Sequence, residues 1–314
     1  MTAGDVQFRA MGTDCHVLVH APTELLDDLT DLARERVELL EQCWSRFRPD
    51  SELSHLNGTA GLGPRIVSAD LLLLARRMHD AWRRSGGLFD PTVLTSMMTL
   101  GYDTDFATVA ARPANSLTDI TLAAAPGMSG VVIDVQASTI SLPSGVGLDP
   151  GAIGKGLAAD VIADELWSAG AQGVLVNLGG DISIAGRAPA ETPWSIGVED
   201  ERRDVDAPDR VLRVLEFPLG TERIGIATST TLKRRWAQGR RHHVIDPRTG
   251  TMSTSDLVQV TIVAGTAWEA ETLATTALLM SSTEAAAWIH PLDVTGILLT
   301  ADHDLQTDEE HARG

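Results

Sequence analysis

At 314 residues, with 43% hydrophobic and 22% charged side chains, the chain has the length of one large domain or two packed lobes and the balance of a globular protein. Its 43 Asp and Glu against 25 Lys and Arg give a formal charge of −18, which repels nucleic-acid phosphates and anionic membranes and sets both aside as partners. No stretch approaches the ~20 apolar residues of a membrane span. The start lacks the basic and apolar regions of a signal peptide, and the only cysteines are Cys15 and Cys43. The expectation is therefore a reduced, cytoplasmic protein with no zinc or iron–sulfur centre.

Residues 5–20 alternate as a strand interrupted at Gly12. Residues 23–44 read as a helix capped by Thr23, with Leu25, Leu29, Leu32, Val37 and Leu40 near one face. "FRPDSELSHLN" is a polar turn with a short helical piece. Ser68 caps a second helix that stops at about Arg84, before "SGG". "GLFDPTV" is predicted as a loop or short extended segment, because Pro91 disfavours helix at Asp90. The Ala-, Thr- and Pro-rich stretch 103–130 is the least readable. "GVVIDVQASTISLP" reads as a hairpin, and a helix runs from "LDPGAIGKGLAAD" to about Ala169. "GVLVNLGGDISIAG" gives two strands joined through Gly179 and Gly180. "WSIGVED", "VLRVLEFPL", "RIGIATST", "LVQVTIVAG" and "VTGILLT" are further strands, the first two around an exposed charged loop at 199–210. Helices are predicted at 266–280 and 283–290, and the tail after about 302 is polar and expected to fray. With no internal repeat or linker, the mixture predicts an α+β fold, mostly antiparallel sheets packed with helices.

Five segments carry chemistry. In "LDPGAIGKGLAAD", Pro150 suits a helix start, Gly151, Gly154 and Gly156 permit close approach, and Lys155 adds a point charge beside free helix amides. It is not a Walker loop, since Lys155 is followed by Gly156 and the first glycine of that loop is missing; nor does it hold G-x-G-x-x-G. Taken alone it is equally a glycine-rich turn with tight packing. "NLGGD" (177–181) ends an apolar strand with a carboxylate, and by itself reads as a hairpin turn. "ATSTTLKRRW" and "GRRHHVIDPRTG" concentrate positive charge, with Arg240, Arg241, His242, His243 and Arg248 around Asp246. That concentration is either a solvated basic turn or an anion site, where a histidine can move a proton. In "WEAETLATTALLM", Glu271 and Thr275 share one helix face at i,i+4. Such a pair suits magnesium, which takes few protein ligands and fills the rest with phosphate and water; the plain alternative is a surface Glu and Thr.

Together these segments resemble the FAD:protein FMN transferases, the ApbE-like flavin transferases. The resemblance runs from about Met11 to Met280 through "MGTDCHV", "SRFRPDSELSHLN", "GGLFDPTV", "LGY", "LDPGAIGKGLAAD", "NLGGD", "IATSTT", "HHVIDPRTG" and "EAETLATTALLM", in that order. It implies one ApbE-like, T-fold-like domain over residues 1–314, or two intimately packed lobes. It also implies a magnesium-dependent reaction in which FMN is transferred from FAD to a threonine of a target protein and AMP leaves. Carried over residue by residue, it places FAD against Met11, Phe47, Leu88, Phe89, Asp90, Asp149, Lys155 and Ile245. Magnesium falls on Glu271, Thr275 and the Ala152 carbonyl, and His243 with Asp246 become the proton-handling candidates. The chain departs from the family pattern in having Glu271 for the usual aspartate, Phe47 for a frequent tyrosine, and Thr230 for the glycine of "A-T-S-G". The alternatives are a FAD pyrophosphatase, with water in place of the threonine, and a non-catalytic flavin-binding protein.

Overall fold

The chain opens on a hairpin. In the computed structural model, which describes residues 2–113, 122–189 and 192–306, β1 (Thr2–Ala10) and β2 (Thr13–Ala21) pair antiparallel. They reverse at Met11 and Gly12, both at positive φ, so the single strand expected over 5–20 is two strands. A 3-10 turn over Thr23–Leu25 follows Pro22 and leads into α1 (Leu26–Trp44); Thr23 sits inside that turn and is not a helix cap. α2 (Glu52–Gly58) starts at Ser51, whose hydroxyl accepts the Ser54 amide. β3 (Arg65–Ile66) precedes α3 (Ala69–Arg84), capped by Ser68 as expected. The segment expected as a loop after Phe89 is helical instead. Asp90 caps a 3-10 turn over Pro91–Val93 by accepting the Thr92 amide, and α4 (Leu94–Thr99) continues it. Pro91 stands inside the first turn, where its fixed φ helps.

α5 (Phe106–Ala110), β4 (Val132–Asp134) and β5 (Thr139–Ser141) come next; residues 114–121 of the unreadable stretch lie outside the described residues. The chain then runs through α6 (Gly154–Ser168), β6 (Gly173–Leu178), β7 (Asp181–Gly186), β8 (Trp194–Glu199), β9 (Val211–Phe217), β10 (Thr221–Thr230), β11 (Arg235–Trp236) and β12 (Arg241–His242). It ends with β13 (Leu257–Ala264), α7 (Ala267–Ala277), α8 (Ser282–Ile289), β14 (Thr295–Thr300) and β15 (Asp304–Gln306). β15 adds an edge strand where the tail was expected to fray; residues 307–314 lie outside the described residues.

Two units form. The first comprises Met1–Val37, Lys155–Leu232 and Ser255–Gly314; the second comprises Glu38–Gly154 and Lys233–Thr254. The first is built on an eight-stranded antiparallel sheet, ordered β1-β2-β6-β7-β10-β13-β14-β15. Side chains alternate between its faces. Leu175, Ile182, Ile184 and Ile226 point to one face, under Trp194, Ile196, Leu215 and Phe217 of the β8–β9 ribbon. Asp181, Ser183, Gly225 and Ser229 point to the other, where α6 and α7 lie. Covered on both faces, β7 is buried at all six positions. The second unit holds α2 to α5, a three-stranded sheet ordered β3-β5-β4 and the short β11–β12 hairpin, around a cluster of Met97, Leu100, Tyr102, Val109, Trp236 and Ile245.

Candidate active site

In the first unit, Lys155 lies in the opening turn of α6 and donates to two carboxylates, Asp181 and Glu271 Oε1, the latter at 2.8 Å. Asp181 is the first residue of β7. It is set there by the Gly179–Gly180 turn, whose positive φ values match a two-residue hairpin reversal. Glu271 is on α7, and its Oε2 accepts the Gly156 amide at 2.8 Å. Both acids are only 2% exposed, so Glu271 is not a surface residue. Burial pushes its pKa up, the Asp181 charge adds to that, and Lys155 and the Gly156 amide pull the other way. One turn along α7, Thr275 Oγ1 lies 2.8 Å from Ser229 Oγ of β10.

A further buried acid organises this group. Asp160, on α6, accepts the Ser183 hydroxyl at 2.8 Å and the Ala267 and Trp268 amides at 3.1 and 3.0 Å. It thereby caps α7, whose N-cap Thr266 makes no side-chain cap bond. One carboxylate thus ties together α6, β7 and α7, the elements that carry Lys155, Asp181 and Glu271. Gly156 makes the approach possible, since a Cβ there would stand 2.5 Å from the Ala267 carbonyl.

In the second unit, Asp149 is paired with Arg46 (Nε to Oδ2, 3.1 Å), both side chains being almost wholly buried. Arg46 also donates to the Tyr102 carbonyl at 2.8 Å, and its guanidinium lies 4.1 Å from the Phe47 ring centre and 4.6 Å from that of Tyr102. Phe47 covers this stack and is 39% exposed. Asp149 Oδ1 accepts the Gly151 amide, shaping the turn that contains Ala152. The Asp149 amide donates to the Pro91 carbonyl at 2.7 Å, joining this turn to the Leu88–Phe89–Asp90 strip. Phe89 is buried and Leu88 half-buried; Asp90 accepts both the amide and hydroxyl of Thr92. Burial holds the Asp90 carboxyl above the usual carboxylate range against the pull of those bonds. Ile245 is buried and bridges to Met252. His243 is half-buried on the same segment. Both oxygens of Asp246 are committed to Arg248, at 2.9 and 2.8 Å. Burial alone would raise the Asp246 pKa; Arg248 outweighs it and holds the carboxyl below the usual range. Met11 is in the first unit, at the β1–β2 turn.

The ApbE family model matches residues 11–298. The chain belongs to the ApbE family. It is 28% identical over 88% of its length to a protein of Treponema pallidum (strain Nichols) named FAD:protein FMN transferase, covering 78% of that protein. It is 29% identical over 93% of its length to one of the same name from Vibrio cholerae serotype O1, covering 86%. Among solved structures, the ApbE protein of Thermotoga maritima superposes with a TM-score of 0.82 at 21% identity, over 98% of this chain and 97% of that one. A Pseudomonas stutzeri flavinyl transferase ApbE, apo form, gives 0.78 at 19% identity, over 98% and 95%. The α+β fold read from the sequence is thus the ApbE fold.

For this ApbE-family chain, the structure brings Lys155, Glu271 and Thr275 into one cluster and joins Phe47 to Asp149 through Arg46. Reading the sequence passed over Asp181, Asp160, Arg46 and Tyr102. Asp181 was visible as the acid closing "NLGGD", but a hairpin turn explained it equally well. Among the described residues no three His, Cys, Asp or Glu side chains converge as a metal site. The donor set nevertheless fits a hard cation. Two buried carboxylates share one ammonium, and a pair of hydroxyls lies one turn along α7, the hard oxygen donors that such a cation takes.

Proposed function

We propose that this chain transfers FMN from FAD to a threonine hydroxyl of a target protein, releasing AMP, in a magnesium-dependent reaction. The observation that carries the reading is the buried cluster of Lys155, Asp181 and Glu271 beside the Ser229–Thr275 hydroxyl pair, in a chain whose relatives are named FAD:protein FMN transferases. Glu271, Thr275 and the Ala152 carbonyl are the residues we assign to magnesium, which supplies charge neutralisation on the pyrophosphate. The remaining work is positioning. Phe47, stacked on Arg46, offers a flat apolar face to the isoalloxazine ring, with Met11, Leu88, Phe89, Asp90 and Ile245 as further flavin contacts. Asp149 holds Arg46 in place, and Lys155, positioned by Asp181 and Glu271, is the cation we assign to FAD.

In the transfer, the threonine Oγ forms a bond to the FMN phosphorus and the bridging P–O bond breaks. AMP leaves with the bridging oxygen, and the hydroxyl proton goes to the His243 imidazole. Asp246, spent on Arg248, orders the turn that carries His243. We place the reaction in the cytoplasm, where the buried Cys15 and Cys43 stay reduced.

The test is incubation with FAD, magnesium and threonine-bearing candidate subunits, read by intact mass and by AMP release. Mass gain by one FMN with equimolar AMP is expected. AMP without mass gain would indicate hydrolysis, and no AMP under any condition would remove the enzymatic reading. Glu271→Gln should lose most of the activity and its magnesium dependence; full retention would overturn the metal assignment.

A further inference from the structure

The β11–β12 hairpin is charged against the rest of the chain. Residues 233–241 hold Lys233, Arg234, Arg235, Arg240 and Arg241, five of the 25 Lys and Arg, and no acid, in a protein of net charge −18. Its arginines are not neutralised locally. Arg235 donates to the Gly239 carbonyl, Arg240 to the Ala237 carbonyl and Arg241 to the Leu100 carbonyl. None of these three forms an ion pair among the described residues. Arg235 and Arg240 are exposed, and Arg241 is crowded by Arg240.

The hairpin is also anchored in the second unit. Trp236 is buried in the second unit's core, and its indole donates to the Leu100 carbonyl at 3.0 Å. Arg234, Ala237 and Gln238 are three of the five non-glycine residues at positive φ among the described residues, a conformation that persists only where the surroundings fix it. The segment leads directly into His243, two residues after Arg241.

We infer that the β11–β12 hairpin is the docking surface for an acidic segment of the acceptor protein, presenting its threonine to the site. The partner class follows from charge. A polynucleotide would be repelled by the rest of a −18 surface, whereas a short acidic protein segment needs only the hairpin. This inference rests on the proposed transferase reading.

The probes are a fluorescein-labelled peptide with one threonine among aspartates and glutamates, and its counterpart with those acids replaced by asparagine and glutamine. Binding to the full chain is measured by anisotropy, and FMN transfer by mass. The wild-type chain binds the acidic peptide, more weakly as salt rises, and the neutral one at least tenfold less well. Arg235→Glu/Arg240→Glu weakens acidic-peptide binding by about tenfold and raises KM for that acceptor similarly, while KM for FAD is unchanged. Arg235→Gln/Arg240→Gln gives an intermediate loss, and unchanged melting temperatures show both variants folded. Equal binding of the two peptides, or unchanged acidic-peptide binding in both variants, overturns the inference. So does a raised KM for FAD, which would put the hairpin on the dinucleotide, or hairpin-dependent binding of a labelled single-stranded oligonucleotide stronger than that of the peptide. Peptide binding without FMN transfer would instead retire the transferase reading and leave the hairpin as an acidic-protein surface.

Discussion

Lys155 holds two carboxylates that hardly touch solvent. Removing one member of a buried ionic group leaves the others uncompensated, at a cost of about 3–5 kcal/mol. Lys155→Met should therefore lower the unfolding free energy by that order in urea titrations, and adding Asp181→Asn should restore part of it. A double variant no more stable than the single one would mean the cluster is not acting as an ion group. Phe47 poses the opposite case. Its ring is partly exposed and lies over Arg46 rather than in the core, so Phe47→Ala should leave the urea midpoint nearly unchanged. It should weaken FAD binding about tenfold, read by flavin fluorescence, because stacking and apolar contact at one ring contribute about 1 kcal/mol or more. Unchanged affinity would move the isoalloxazine elsewhere.

At the scale of elements, the site depends on how closely α6 and α7 approach. Gly156 donates to Glu271 and has no room for a methyl group against the Ala267 carbonyl. Gly156→Ala should separate the two helices, cost about 1–3 kcal/mol, and reduce transfer more than FAD binding. The comparison to make is kcat against flavin affinity, with melting as control; a variant of wild-type kcat would show that the spacing is not critical. Asp160 matters for the same reason, since it caps α7 from another helix. A cap supplied from over 100 residues away leaves no local mark in the sequence. By contrast, the caps at Ser51 and Ser68 and the hairpins with glycine reversals are local devices. Ser68 and the Gly179–Gly180 reversal could be read directly from the sequence. α4 could not, because Asp90 reads as a pre-proline extended residue until its side chain is seen accepting the Thr92 amide.

At the scale of the whole molecule, neither unit is a continuous segment. The second needs residues 233–254 to bring Trp236 and Ile245 to its cluster of Met97, Leu100, Tyr102 and Val109. A fragment of residues 38–154 should therefore lack near-ultraviolet circular dichroism while keeping helical signal, and recover it when 233–254 is fused on; a fully native fragment would contradict this. The same discontinuity limited what could be read in advance. The β6–β7 hairpin was legible because its strands are neighbours in sequence and Gly179–Gly180 marks the reversal, whereas β1–β2, turning at Met11 and Gly12, reads as one interrupted strand. The Lys155–Asp181–Glu271 group was not, because its members are 26 and 116 residues apart and each has an ordinary local explanation. Arg46 went unnoticed for a similar reason: an arginine before an exposed phenylalanine gives no sign of the buried Asp149 it will meet.

Tyr102, the chain's one tyrosine, has its ring centre 5.5 Å from that of Trp236. At that separation its excited state passes to the indole before it can emit. Tyrosine emission is therefore expected to be quenched in the native protein and to rise when the hairpin leaves the second unit's core, which emission spectra of native and urea-treated protein would check. The seven tryptophans make ordinary fluorescence a blurred average over the chain, whereas this single dark fluorophore reports opening of the second unit alone.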